Sequence, residues 1–130
     1  MTDKIVYTRP DLKSYSRVSY LREIYGDYPG AIEAMKLAVS AGYPGMEDTE
    51  WARAYLGLLY ENSGDLKNAE MQYRIALQER PAYPYAYAGL ARLARGQKKY
   101  AQAIAYYLSA DSVVNDNAFK DELIDLYILN

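Results

Sequence analysis

Side chains able to do chemistry are scarce in this chain. None of its 130 residues is histidine and none is cysteine. That removes the usual general base, the usual proton shuttle, the commonest metal ligand and every thiolate. Two acidic clusters remain, Glu47-Asp48-Thr49-Glu50 and Asp121-Glu122-x-x-Asp125. Neighbouring carboxylates can do acid–base work or hold a hard cation. The first cluster falls at a predicted helix N-terminus, where acids complement the helix dipole. The second falls on an early turn of the last predicted helix, and neither has the DxDxDG spacing of a calcium loop. Capping and solvation are therefore their expected roles. Asn62-Ser63-Gly64 and Gly96-Gln97-Lys98 lack phosphate-loop spacing. Serines and threonines are present without a histidine to activate them. The expectation is a non-catalytic protein with no metal and no cofactor.

Composition narrows the partners. The net charge is −2 with both signs mixed along the chain, so a concentrated basic surface for nucleic acid or anionic membrane is not expected. Lys98-Lys99 alone is too short a basic patch. The start, Met1 to Tyr7, lacks the apolar core of a signal peptide, and no run approaches the roughly 18 apolar residues of a membrane span. The default expectation for the chain as given is cytoplasmic. About half of the residues are apolar, enough for the core of one domain, and tyrosine dominates the aromatics with 16 residues against one Phe and one Trp. Half-polar rings suit helices buried on one side and wet on the other.

The elements that position these residues follow from a recurring pattern. Residues 53 to 81 read Arg53-x-x-Leu56-Gly57-x-x-Tyr60, Ala69-x-x-x-Tyr73-x-x-Ala76, then Pro81. The pattern returns about 34 residues later as Tyr87-x-x-Leu90-Ala91 and Ala103-x-x-x-Tyr107-x-x-Ala110. A looser copy comes first, with Tyr15-x-x-Val18-Ser19 and Ala31-x-x-x-Met35-x-x-Ala38. Such a period with small residues at fixed offsets marks stacked helical hairpins. No segment alternates strictly, so no sheet is expected. Helices are predicted at about 12–25, 28–41, 50–62, 66–79, 84–95, 99–113 and 118–129. Asp11 would cap the first, Asp48 or Thr49 the third, and Asn115-Asp116-Asn117 the last. Gly26-Asp27, Gly42 to Gly45, Asn62 to Asp65, Pro81 and Gly96 would break the chain between them, and Pro84 opens the fifth helix at its first turn.

On Leu56, Gly57, Tyr60, Ala69, Tyr73, Ala76 and Pro81 the chain resembles the tetratricopeptide repeat (TPR) family, over about residues 12–130. The third copy has Asn115 where that family's proline is expected, and the first has Arg22 where an apolar residue is usual. The resemblance implies an all-α, right-handed superhelical solenoid of three helix-turn-helix units plus a terminal helix. The expected division is a lead-in at 1–11, units at 12–49, 50–83 and 84–117, and the terminal helix at 118–130. Residues 1–11 are a possible remnant of a preceding repeat. The terminal helix is a cap or the start of a further repeat. Gly57, Ala91 and Ser19 would let paired helices approach closely, with Tyr73 and Tyr107 filling the space between hairpins.

In that fold the first helix of each pair lines the concave face. Trp51 lies two residues ahead of the family's usual Trp, about 200° around a helix, and so should face the groove with Ala54, Tyr55, Leu58, Glu61 and Asn62. The same register gives Tyr85, Ala88, Arg92 and Arg95, then Lys13, Ser16, Tyr20, Glu23 and Ile24, with Phe119 and Glu122 from the last helix. The candidate binding residues are Tyr20, Trp51, Tyr55, Leu58, Asn62, Tyr85, Arg92, Arg95 and Phe119. Aromatics and arginine dominate binding hot spots, so a protein or peptide with an apolar anchor and an acidic group fits. The competing reading packs Trp51 and Tyr85 between helices and pairs Arg92 and Arg95 with Glu61 and Glu122. Chaperone-binding TPRs grip a C-terminal carboxylate with Lys, Asn and Arg. The matching positions here hold Ser16, Tyr20, Tyr55, Tyr85 and Gly89, so that clamp is not expected. Two alternatives to groove binding stay open. One is self-association through the apolar terminal helix, Leu123 to Leu129, and the other is an accessory role in a larger protein.

Overall fold

A computed structural model describes residues 11–114 and 119–129. Within them the chain forms α1 (Leu12–Ile24), α2 (Tyr28–Ala41), α3 (Glu47–Asn62), α4 (Leu66–Glu79), α5 (Pro84–Gly96), α6 (Tyr100–Val114) and α7 (Lys120–Leu129). The described residues contain no strand. α1, α3 and α5 each pack on the helix that follows, the pairs stack in chain order, and α7 packs on α6.

Local chemistry sets most of the helix ends. Asp11 accepts from the Ser14 N–H at 2.9 Å and caps α1. Asp27 and Asp65 do the same for α2 and α4, accepting from Gly30 and Asn68. Gly26 and Gly64 turn the chain into those caps with positive φ, at 80° and 87°. At the third hairpin that conformation falls to Lys98, with φ 62°. Gly96 is instead the last residue of α5. Arg22, an unexpected charge in its repeat, donates to the Gly30 carbonyl at 2.9 Å and ties α1 to the start of α2.

The third helix corrects the sequence reading. It begins at Glu47, and neither Asp48 nor Thr49 caps it: Met46 stands at the cap position with no side-chain bond. Glu50 does the work from inside the helix. Its carboxylate is fully buried and accepts from the Gly45 N–H at 2.8 Å and from Arg53 Nε at 2.7 Å. Arg80 reaches back to the Gly45 carbonyl at 3.0 Å, and Tyr83 donates to Glu47 at 2.8 Å. Glu50 and Glu47 thus lock one junction between helix pairs instead of standing solvated. Glu50→Ala would strand two donors, so we expect a loss of about 1.5–3 kcal/mol in chemical unfolding, with Glu50→Gln losing less.

The core is built from small residues at helix crossings. Ala31, Ala38, Ala69, Ala76, Ala103 and Ala110 have no exposed surface, and Met35, Tyr73 and Tyr107 fill the spaces between hairpins. Ser19 is buried and donates to the Ala31 carbonyl at 2.8 Å. The expected Asn115–Asn117 cap lies outside the described residues. Asp111 accepts from the Phe119 N–H at 3.1 Å and so supplies an acceptor at the head of α7. Leu123 and Leu126 of α7 enter the core, while Ile124, Tyr127, Ile128 and Leu129 stay exposed.

Candidate functional site: a groove along α1, α3, α5 and α7

Helical register brings the predicted binding residues together on the odd-numbered helices. A central cleft of about 180 Å³ is lined by Trp51, Ala54, Tyr55 and Leu58 of α3, Tyr85, Ala88 and Arg92 of α5, and Phe119. Towards the C-terminus it continues into a cleft of about 540 Å³ with Arg92, Arg95, Gly96, Tyr107, Phe119 and Glu122. Towards the N-terminus lies a cleft of about 390 Å³ with Leu12, Lys13, Ser16, Arg17 and Tyr20 of α1 and Glu47, Asp48 and Trp51 of α3. Trp51 is common to the N-terminal and central clefts, and Arg92 and Phe119 to the central and C-terminal ones, so the three adjoin one another along the odd-numbered helices.

The two sequence readings of these residues divide residue by residue. Trp51 is half-buried and packs on Tyr20 and Tyr55, with ring centroids 6.3 and 5.4 Å away. It is therefore both a groove wall and a core residue. Tyr85 is 54% exposed and meets Tyr83 edge-on at 5.5 Å. Arg92 pairs with Glu61 at 3.1 Å and donates to the Tyr73 hydroxyl at 3.2 Å, so its guanidinium is partly committed. Arg95 and Glu122 line the same cleft but form no ion pair among the described residues. Asn62 ends α3, is exposed and lines none of these clefts. Ile24 is likewise exposed at the end of α1, and Glu61 is turned to Tyr73 and Arg92.

Arg17, Glu47, Asp48 and Tyr107 line the groove without having been anticipated. Arg17 had a signal, one helical turn beyond Lys13 on the same face. Glu47 and Asp48 were hidden because an acidic run before a helix reads as a cap.

Tyrosine–glutamate bonds brace the groove. Tyr55 donates to Glu23 at 2.6 Å and Tyr73 to Glu61 at 2.8 Å, as Tyr83 does to Glu47. Burial pushes all three phenols well above the ordinary value of 10.0, and for Tyr55 and Tyr83 the accepting glutamate adds to the rise. For Tyr73 the nearby Arg92 opposes the rise and Glu61 reinforces it. A phenol whose folded pKa is raised contributes stability that is complete below its unfolded pKa and is lost as pH climbs through the folded value. We therefore expect stability in chemical unfolding to hold up to about pH 9 and to fall progressively above about pH 10, with the three braced phenols ionising only as helix content is lost. Full ionisation of tyrosine with helix content unchanged would contradict this bracing.

No protein-family model matches the chain, and no curated protein matches it. Among solved structures it is similar to MamA, with a TM-score of 0.70 and 20% identity over 88% of this chain. The match spans 64% of the MamA chain, so this chain covers somewhat less than two thirds of that neighbour. It is also similar to the TPR2B domain of yeast Sti1 in its pHsp70 complex, with a TM-score of 0.74 and 17% identity over 91% of this chain and 94% of that one. Likeness at these identities is likeness of fold. With the helix pairing and the small-residue crossings described above, it establishes that this chain folds as a tetratricopeptide-repeat solenoid.

Proposed function

We propose that the chain is a non-catalytic scaffold that holds an extended segment of a partner protein in the groove along α1, α3, α5 and α7. The adjacency of the three clefts, which share Trp51, Arg92 and Phe119 as lining residues, supports this reading, because one extended ligand can contact all three. The central cleft takes an apolar anchor between Trp51, Leu58, Tyr85 and Phe119. Arg95, with no ion pair among the described residues, meets an acidic group beyond it. A preformed rigid surface leaves most of the ordering cost to the partner. The complex of the Sti1 TPR2B domain with pHsp70 supports a protein or peptide ligand by analogy of fold. The chaperone-tail clamp is not part of the proposal: Gly89 is buried beneath the Tyr73 ring, Ser16 is buried beside Met35, and Tyr55 is bonded to Glu23. The test is selection from a displayed random-peptide library on the wild type, with a Tyr85→Ala/Arg95→Ala variant as counter-bait. Peptides kept by the first and lost on the second support the groove. Peptides equally retained by both refute it.

Self-association is the second reading, favoured by the exposed apolar residues of α7, with Ile128 78% exposed. Light scattering separates the two: a mass that stays at 14.8 kDa at high concentration excludes stable self-association.

A further inference from the structure

The N-terminal cleft differs from its neighbours in its walls. α1 and α3 are tied where Tyr55 donates to Glu23 and where the Tyr20 ring meets those of Tyr55 and Trp51. The cleft lined by the first turns of α1 and α3 has about twice the volume of the central cleft, 390 against 180 Å³. On the α1 side stand two bases, Lys13 and Arg17. On the α3 side stand two acids, Glu47 and Asp48. Between them lie the apolar surfaces of Tyr20 and Trp51. Ion pairs among the described residues join only Arg53 to Glu50, Arg74 to Glu70 and Arg92 to Glu61. The two charged walls therefore face each other across the cleft without closing on one another.

We propose that this cleft is the subsite that sets the groove's sequence preference, and that it accepts a large apolar or aromatic side chain flanked by an acid and a base. The acid lies against Lys13 and Arg17, the base against Glu47 and Asp48. The inference rests on the groove reading above and gives its partner a chemistry. A segment of one sign only would meet a like-charged wall, which is costly. That selects against polyanions and against purely acidic tails. An aromatic ring gains from edge-on contact with Tyr20 and Trp51. Because Trp51 is also a wall of the central cleft, a side chain held here and the anchor held there are neighbouring contacts of one ligand.

The probes are the groove-dependent peptides from the library selection. They are expected to share an apolar or aromatic residue with opposite charges on its two sides. Lys13→Glu/Arg17→Glu should weaken them about fivefold or more, the worth of an exposed charge pair or two turned to repulsion. With Asp48→Lys added on the opposite wall, a peptide whose acid and base are exchanged should bind better than the original, because a base then faces α1 acids and an acid faces a lysine on α3. Glu47 is left in place because it accepts from Tyr83. Circular dichroism of each variant separates lost binding from lost structure. Peptides that depend on Tyr85 and Arg95 but carry no such charge pair, or do not respond to the Lys13/Arg17 reversal, overturn the subsite and leave the groove reading intact. A selection yielding no groove-dependent peptide overturns both.

Discussion

Gly89→Ala is expected to destabilise the protein by roughly 1–3 kcal/mol, although alanine favours a helix over glycine by about 1 kcal/mol. The reason is the slot that holds Tyr73. A Cβ built at Gly89 would lie 2.4 Å from two atoms of the Tyr73 ring and 2.5 Å from a third. The ring has nowhere to retreat. A Cβ at Gly57 on α3 would meet it at 2.6 Å, and its hydroxyl is held by Glu61 and Arg92. Tyr73 has no exposed surface, so relief would have to move α3 or α5. A double-mutant cycle makes the cause visible. With Tyr73→Leu the ring is gone, and Gly89→Ala should turn from destabilising to stabilising by up to about 1 kcal/mol. Chemical unfolding of the four proteins decides it. A neutral or stabilising Gly89→Ala in the wild-type background would contradict the slot.

Once a groove-dependent peptide is in hand, Tyr85→Ala and Arg95→Ala should each weaken it by about 2 kcal/mol, roughly thirtyfold. Helix content and unfolding midpoint should barely change. Tyr85 is more than half exposed, and Arg95 has no ion pair among the described residues to lose. Trp51→Ala and Arg92→Ala are poorer probes. Trp51 packs against two core clusters, and Arg92 bridges α5 to Glu61 of α3 and Tyr73 of α4. Removing either should lower stability together with binding, so a loss of binding there would not identify a contact. Titration calorimetry beside thermal unfolding separates the cases.

How much of this was legible in the sequence depended on the range of the interaction. The seven helices follow from local signals: the Gly-Asp turns, the prolines and the recurring alanines. Only the ends moved, by a few residues. The start of α3 was misread because its stabilising group, Glu50, sits inside the helix and bonds backwards to Gly45, while the usual cap residues Asp48 and Thr49 stand beside it. The groove residues were legible wherever helical register alone decided them, as for Trp51, Leu58 and Tyr85. Register could not tell whether an arginine in the groove was free. Arg92 is held by Glu61 and Tyr73 of two other helices, whereas Arg95, about one turn on, is not. The Glu47–Tyr83 and Arg80–Gly45 bonds join residues far apart in the chain. No local pattern announces them. Gly89 carried no signal either, because its repeat already had Ala91 at the expected small position.

Trp51 offers the most direct test of the groove. It is the single tryptophan of the chain and forms part of two of the three clefts. Its emission, excited selectively, should change saturably as a groove-dependent peptide is added, with the same midpoint as the calorimetric titration. In the Tyr85→Ala/Arg95→Ala protein the same peptide concentrations should leave it flat. Calorimetric binding with no change in Trp51 emission would mean that the ligand sits elsewhere, and would contradict the groove as the binding surface.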